Sequence, residues 1–178
     1  MKKLIVIGSA ISALGGILSV LIYNICGSVL AFSVAVTFFT TLYHFVMRIL
    51  AARLVVIARK NKTDDKNFKI SEAEEKFYKI IGIKKWKKYA PTYDTRQFCL
   101  KDLTHDEIIH NMTNAEIGHG AIVVLSFVPI LFSKATGGFW AFLITSVLAA
   151  VFDLQFVLIQ RFNKSRMSRI MEKEKKKR

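Results

Sequence analysis

A chain of 178 residues that is 52% hydrophobic, with a positive mean hydropathy, also carries 27 Lys and Arg against 13 Asp and Glu, a net charge of +14. The two facts are compatible only if apolar and basic residues are segregated along the chain, which excludes an ordinary soluble domain with an evenly charged surface. The placement of the basic excess also argues against a nucleic-acid partner, because 26 of the 27 basic residues fall where four membrane crossings would put one side of a bilayer.

Four apolar runs, Leu4 to Ile25, Ser28 to Met47, Ile108 to Phe132 and Phe139 to Ile159, each reach the roughly 20 residues that cross a hydrocarbon layer about 30 Å thick. The expected fold is an all-α integral membrane protein forming a single membrane domain. Its four transmembrane helices are expected over about 4–25, 28–48, 108–133 and 138–160, with a cytoplasmic amphipathic, interfacial segment at 59–103 and a basic tail at 164–178. Lys2 and Lys3 precede the first run, fifteen Lys and Arg lie from Arg48 to Lys101, nine from Arg161 to Arg178, and Lys134 stands in the remaining connection. By the positive-inside rule the heavily basic side is the cytoplasm, so both termini are expected there. The charge implies anionic inner-leaflet lipids as partners.

The first run exceeds 20 residues and lacks a convincing cleavage site, so it reads as a retained helix rather than a signal peptide. Its Gly15-Gly16 pair and several Ser and Ala suit close helix packing. A turn around Asn24 to Gly27 leads into helix two and places Cys26 on the outer side, away from Cys99, so the two cysteines are not expected to pair. Helix two ends in Tyr43-His44-Phe45-Val46-Met47-Arg48, where His44 and Arg48 share a face at i,i+4 spacing. Arg48 also reads as an interfacial anchor. Beyond it Asn61 to Asn67 is a polar break.

Ser71-Glu72-Ala73-Glu74 has capping-box spacing and predicts a helix with Ala73, Phe77, Ile80 and Ile81 on one stripe, ending near Gly82. The amphipathic pattern suits the inner leaflet. In Lys84-Lys85-Trp86-Lys87-Lys88 four ammonium groups surround an indole. That arrangement fits an anchor on an anionic surface, or a hold on a phosphate-bearing substrate. Asp94, Arg96 and Phe98 follow in a stretch without an assigned form. Thr104-His105-Asp106-Glu107 is a second capping box and starts helix three before the membrane proper. Glu116 is then about one turn inside the hydrocarbon boundary and His119 about two, and Gly120 to Phe132 contains no charge. Pro129 is expected to bend the outer half. Helix four carries Asp153 and Gln160 on nearly one face and leaves the membrane at Gln160-Arg161-Phe162-Asn163-Lys164-Ser165-Arg166. Glu172 to Arg178 reads as a solvated helix end.

Up-down connectivity would bring the ends of helices two, three and four to the inner half of the membrane. His44, Arg48, Asn111, Glu116, His119, Gln160, Arg161, Asn163 and Arg166 could then line one cavity, with Asp153 at its deeper end and Trp86 near its mouth. Ionisable groups within a membrane are costly, and a Glu/His pair there is a site hypothesis. There is no G-x-S-x-G or H-E-x-x-H motif and no cysteine beside the cluster. Such a site suits direct transfer, with His119 as general base on a hydroxyl, Glu116 orienting the imidazole, and an Arg or Asn holding the developing oxyanion. The bilayer would present a lipid acceptor and the cytosol an activated donor. No cofactor is expected.

At Glu75-Lys76-Phe77-Tyr78, Lys85-Trp86-Lys87, Ala115-Glu116 with His119, and Gln160-Arg161-Phe162-Asn163 with Arg166, the chain resembles the glycosyl-4,4'-diaponeurosporenoate acyltransferase family over about 75–171. The resemblance implies a bacterial multi-pass cell-membrane protein that transfers a fatty acyl group to a glycosylated carotenoid; the basic run at Lys84 to Lys88, as a hold on a phosphate-bearing substrate, makes acyl-CoA one candidate acyl donor. It also implies Glu116, His119, Gln160, Arg161, Asn163 and Arg166 as site residues. Two other readings stand beside it. One is a metal site built from His44, Glu116, His119 and Asp153. The other is a non-enzymatic membrane subunit or lipid-binding protein whose polar cluster satisfies itself.

Overall fold

The computed structural model describes residues 2–60, 68–91, 98–99 and 102–176. The polar break at 61–67 and the positions of Asp94 and Arg96 lie outside the described residues. In chain order the elements are α1 (Lys2–Cys26), α2 (Val29–Arg59), α3 (Glu72–Ile80), α4 (Ile83–Trp86) with a 3-10 turn at Lys87–Tyr89, α5 (His105–Leu125), a 3-10 segment at Val128–Phe132 with α6 (Ser133–Thr136), and α7 (Phe139–Lys175). No strand occurs among the described residues. Four helical stretches, Lys3–Cys26, Val29–Arg59, His105–Thr136 and Phe139–Lys175, are long and apolar enough to cross a membrane. Large apolar side chains on them, including Leu4, Leu14, Leu30, Val124, Trp140 and Leu148, stay exposed, as a lipid-facing surface requires.

The chain divides into two compact units. The first comprises Met1–Ala51 and Ala121–Asp153, the second Ala52–Gly120 and Leu154–Arg178. In the first unit, α1 meets α2 through its glycines. A Cβ on Gly15 would come within 2.6 Å of the Phe38 ring, and one on Gly8 within 2.8 Å of Phe45. The small residues predicted to allow close packing do so by receiving aromatic rings. Gly27, at φ +62, supplies the left-handed backbone of the turn into α2. Cys26 and Cys99 are both free thiols.

The third span is interrupted where Pro129 was expected to act. Regular α-helix stops at Leu125, and a 3-10 segment with Pro129 near its start carries the chain onward. Proline has no N–H to return to the carbonyl four residues earlier. The hydroxyl of Tyr43 donates to that Leu125 carbonyl instead, at 2.9 Å.

In the second unit both capping boxes start helices. The Glu74 amide donates to Ser71 Oγ at 3.2 Å. The Thr104 amide donates to Glu107 Oε2 at 2.8 Å while the Glu107 amide donates to Thr104 Oγ1 at 3.3 Å. Only the second box is reciprocal, because the Glu74 carboxylate is committed elsewhere. Gly82, at φ +63, ends the α3 turn as predicted. The stripe expected for α3 divides: Ala73, Phe77 and Ile80 are exposed, while Ile81 packs with Tyr78 against Ile83, Ile159 and Phe162.

The expected basic tail at 164–178 continues α7 as helix to Lys175. Lys164, Ser165, Met167 and Ser168 are buried, and Met167 packs on Ile108, Ile109 and Met112 of α5, while Lys173 to Lys176 are exposed. Arg169 with Glu75 at 3.0 Å, and Lys69 with Glu172 at 3.1 Å, continue the pairing toward the end of the helix.

Candidate functional site

Glu116 sits on α5 where the helix passes α7, and its side chain is 14% exposed. One carboxylate oxygen accepts from Arg161 Nη1 at 2.8 Å and the other from Lys164 Nζ at 2.7 Å. Arg161 reaches in the other direction to α3, donating from Nε and Nη2 to the two oxygens of Glu74 at 2.8 and 3.0 Å. The Tyr78 hydroxyl also donates to Glu74. Phe68 lies against both cations, with the Lys164 ammonium 4.0 Å and the Arg161 guanidinium 5.2 Å from its ring centre. Two acids and two bases are therefore joined across three helices, so the network carries no net charge.

The hydrogen bonds from Arg161 hold Glu74 below the usual carboxylate range. Burial, followed by the hydrogen bond to Glu74, pushes the Tyr78 phenol up. Both effects keep Glu74 ionised and Tyr78 protonated at neutral pH.

The imidazole of His119, on the same helix as Glu116, stacks on Phe156 with ring centres 4.7 Å apart and planes 21° apart. One turn further along α7, Gln160 has a buried Oε1 with no hydrogen-bond partner among the described residues. Asn163 accepts from Lys87 Nζ at 2.6 Å. Arg166 lies with its guanidinium 5.8 Å from the Phe162 ring centre, and Lys87 is 4.9 Å from the same centre. Trp86 donates from its indole to the Ile81 carbonyl at 3.0 Å and packs against the Tyr78 and Phe162 cluster, so its ring fixes the turn. Asn111 lies half-buried on α5. Arg59, from the end of α2, donates to Asn114 at 2.9 Å.

His44 and Arg48 belong to the first unit. Arg48 pairs with Asp153, which is fully buried, and also donates to the His44 carbonyl at 2.9 Å and the Ala149 carbonyl at 3.4 Å. Arg48 is thus an internal ion-pair partner rather than a snorkelling anchor. His44 is 6% exposed, and both its ring nitrogens are without a hydrogen-bond partner among the described residues. Among the described residues no three His, Cys, Asp or Glu side chains gather at metal-binding reach.

Four members of the second unit's cluster, Glu74, Tyr78, Lys87 and Lys164, were not singled out by sequence as site residues. Glu74 read as a cap, Lys87 as one of four equivalent lysines, and Lys164 as the start of a tail. One signal was available: Arg161 and Lys164 are three apart on a helix, so both can reach a single carboxylate.

Fold and cluster together define the class: a helical protein with four helices fit to cross a membrane, carrying a charge network and an imidazole in the unit formed by 52–120 and 154–178. No curated protein and no solved structure matches the chain. The sequence profile of the glycosyl-4,4'-diaponeurosporenoate acyltransferase family matches residues 60–173, and the chain belongs to that family. Membership points to acyl transfer in carotenoid biosynthesis. The match takes in the whole Glu74, Glu116, Arg161 and Lys164 network together with His119, and stops short of His44 and Arg48.

Proposed function

We propose that the protein moves a fatty acyl group from an activated donor to a hydroxyl of a glycosylated carotenoid, or of a related glycolipid, at the inner leaflet. The observation that carries this reading is a buried amide oxygen of Gln160, unpartnered among the described residues, one turn along α7 from the Phe156 ring on which His119 stacks, in a unit most of which the acyltransferase family profile covers. His119 stacks at the level of Phe156, and Gln160 follows four residues later, about 6 Å along the helix axis. A buried amide oxygen without a donor is costly, and a second hydroxyl of the acceptor's sugar, next to the one that reacts, would satisfy it.

The proposed step needs no protein nucleophile. His119 takes the hydroxyl proton as the oxygen attacks the acyl carbonyl. The tetrahedral intermediate then collapses, the bond to the donor's leaving group breaks, and the imidazolium returns its proton to that group. Glu116 is assigned a positioning role, because Arg161 and Lys164 already occupy both its oxygens. It fixes α5, and hence His119, against α7. Exposed Phe77 and Ile80 on α3 and the basic turn at 84–88 support an inner-leaflet placement, where apolar groups enter lipid and ammonium groups meet anionic headgroups.

In a strain lacking the gene, His119→Ala protein at normal membrane levels is expected to leave the glycolipid unacylated, and Gln160→Ala to lower acylation at least tenfold. Full restoration of acylated lipid by His119→Ala would overturn the assignment.

A further inference from the structure

Pairing accounts for most cations of the second unit that lie near its carboxylates. Arg161, Lys164, Arg169, Lys69 and Lys79 each meet a Glu within 4 Å. Lys84, Lys87 and Arg166 meet none among the described residues. They are not dispersed over the surface. Lys87 and Arg166 lie against the same Phe162 ring, and Asn163, one residue on, accepts from Lys87.

We propose that Lys87 and Arg166, with the amide of Asn163, form a cradle for a phosphate group. The phosphate is that of a water-soluble acyl donor. That carrier rests on the acyl-transfer reading; the phosphate site does not.

Three features separate this cradle from a generic basic surface. It is rigid: Lys87 follows a short helix that starts at left-handed Gly82, is tied by the Trp86 bond to Ile81, and is anchored by fully buried Ile83. Groups held in place in advance lose little freedom when an anion arrives. Its charges also repel one another. Burial first, then Arg166 and Lys84, lower the affinity of Lys87 for its proton, and an anion between Lys87 and Arg166 would relieve that opposition. Finally, its donors match the ligand, since an ammonium, a guanidinium and the NH2 end of an amide can each donate to a different phosphate oxygen. Lys88, in the same basic run, has its ammonium 4.8 Å from the Tyr89 ring centre, and it serves as a control.

The full-length protein in an uncharged detergent, carrying Trp140→Phe so that Trp86 is the sole indole, is titrated with coenzyme A and followed by tryptophan fluorescence. Saturable binding is expected. Arg166→Gln, at an exposed position, and Lys87→Gln are each expected to weaken it at least tenfold, while Lys88→Gln changes it less than twofold. Mixed micelles containing phosphatidylglycerol test the other source of phosphate. If these alone shift the signal, and Arg166→Gln abolishes the shift, the cradle holds a lipid headgroup and the soluble donor is overturned. Equal weakening by all three variants, or no response to either probe, overturns the cradle itself. Continued acyl transfer by a variant that has lost coenzyme A binding would remove the donor assignment while leaving the role of His119 standing.

Discussion

Lys164 has a side chain only 7% exposed, and it is charge-paired with a Glu116 that is itself 14% exposed. Desolvating such a pair costs about as much as its attraction returns, so the pair specifies geometry more than it stabilises, while removing one partner costs about 3–5 kcal/mol. The same reasoning gives Glu74 a pH signature. Its carboxyl is held below the ordinary value of 4.5, chiefly by Arg161, so the folded state favours the ionised form. The resulting stability is present in full above about pH 4.5 and is lost as pH falls through the depressed value. Melting of the detergent-solubilised protein from pH 7 to pH 3 is therefore expected to show wild type more stable than Glu74→Gln near neutrality, the two curves converging in acid. Parallel curves would show that Glu74 is not linked to the fold. None of these partners was legible from residue type, because a Glu three positions after a Ser reads as a cap whether or not an arginine from a distant helix claims its carboxylate.

The helices show how far periodicity reaches. Spans, capping boxes and the break at Pro129 were readable, since each follows from local backbone chemistry. The repair of that break was not, because Tyr43 lies 82 residues from the carbonyl it serves. Tyr43→Phe keeps the ring and removes only the donor, leaving the Leu125 carbonyl without the partner that Pro129 cannot supply. An orphaned carbonyl of that kind costs about 1–3 kcal/mol. A measurable loss of thermal stability in detergent is expected, and an unchanged midpoint would mean that lipid-side water satisfies the carbonyl. The start of the basic tail at 164–178 hides a similar long-range contact. Its charge is plain in the sequence, yet one face of those turns carries Met167 into the Ile108 and Ile109 core. Helical burial is decided face by face, not by average polarity.

At the scale of the whole chain, the distribution of lysine and arginine makes a statement about topology that a labelling experiment can test. Single cysteines placed at Lys3 and at Lys175, in a Cys26→Ser, Cys99→Ser background, are expected to react with a membrane-impermeant maleimide only after inside-out exposure of the membrane, and one at Lys134 only from outside. Labelling of residues 3 and 175 from opposite faces would refute four crossings. The sequence by itself determined the helical class, the four apolar spans and the candidate residues of the 116–166 region, because hydrophobic length, capping and charge bias are properties of neighbours along the chain. Only the tertiary structure decided which acid meets which base. It placed Glu116 between Arg161 and Lys164, Arg48 against Asp153, and Lys87 and Arg166 on one Phe162 ring with no counter-ion among the described residues. Those outcomes depend on distances between segments remote in sequence, set by which helix faces pack together.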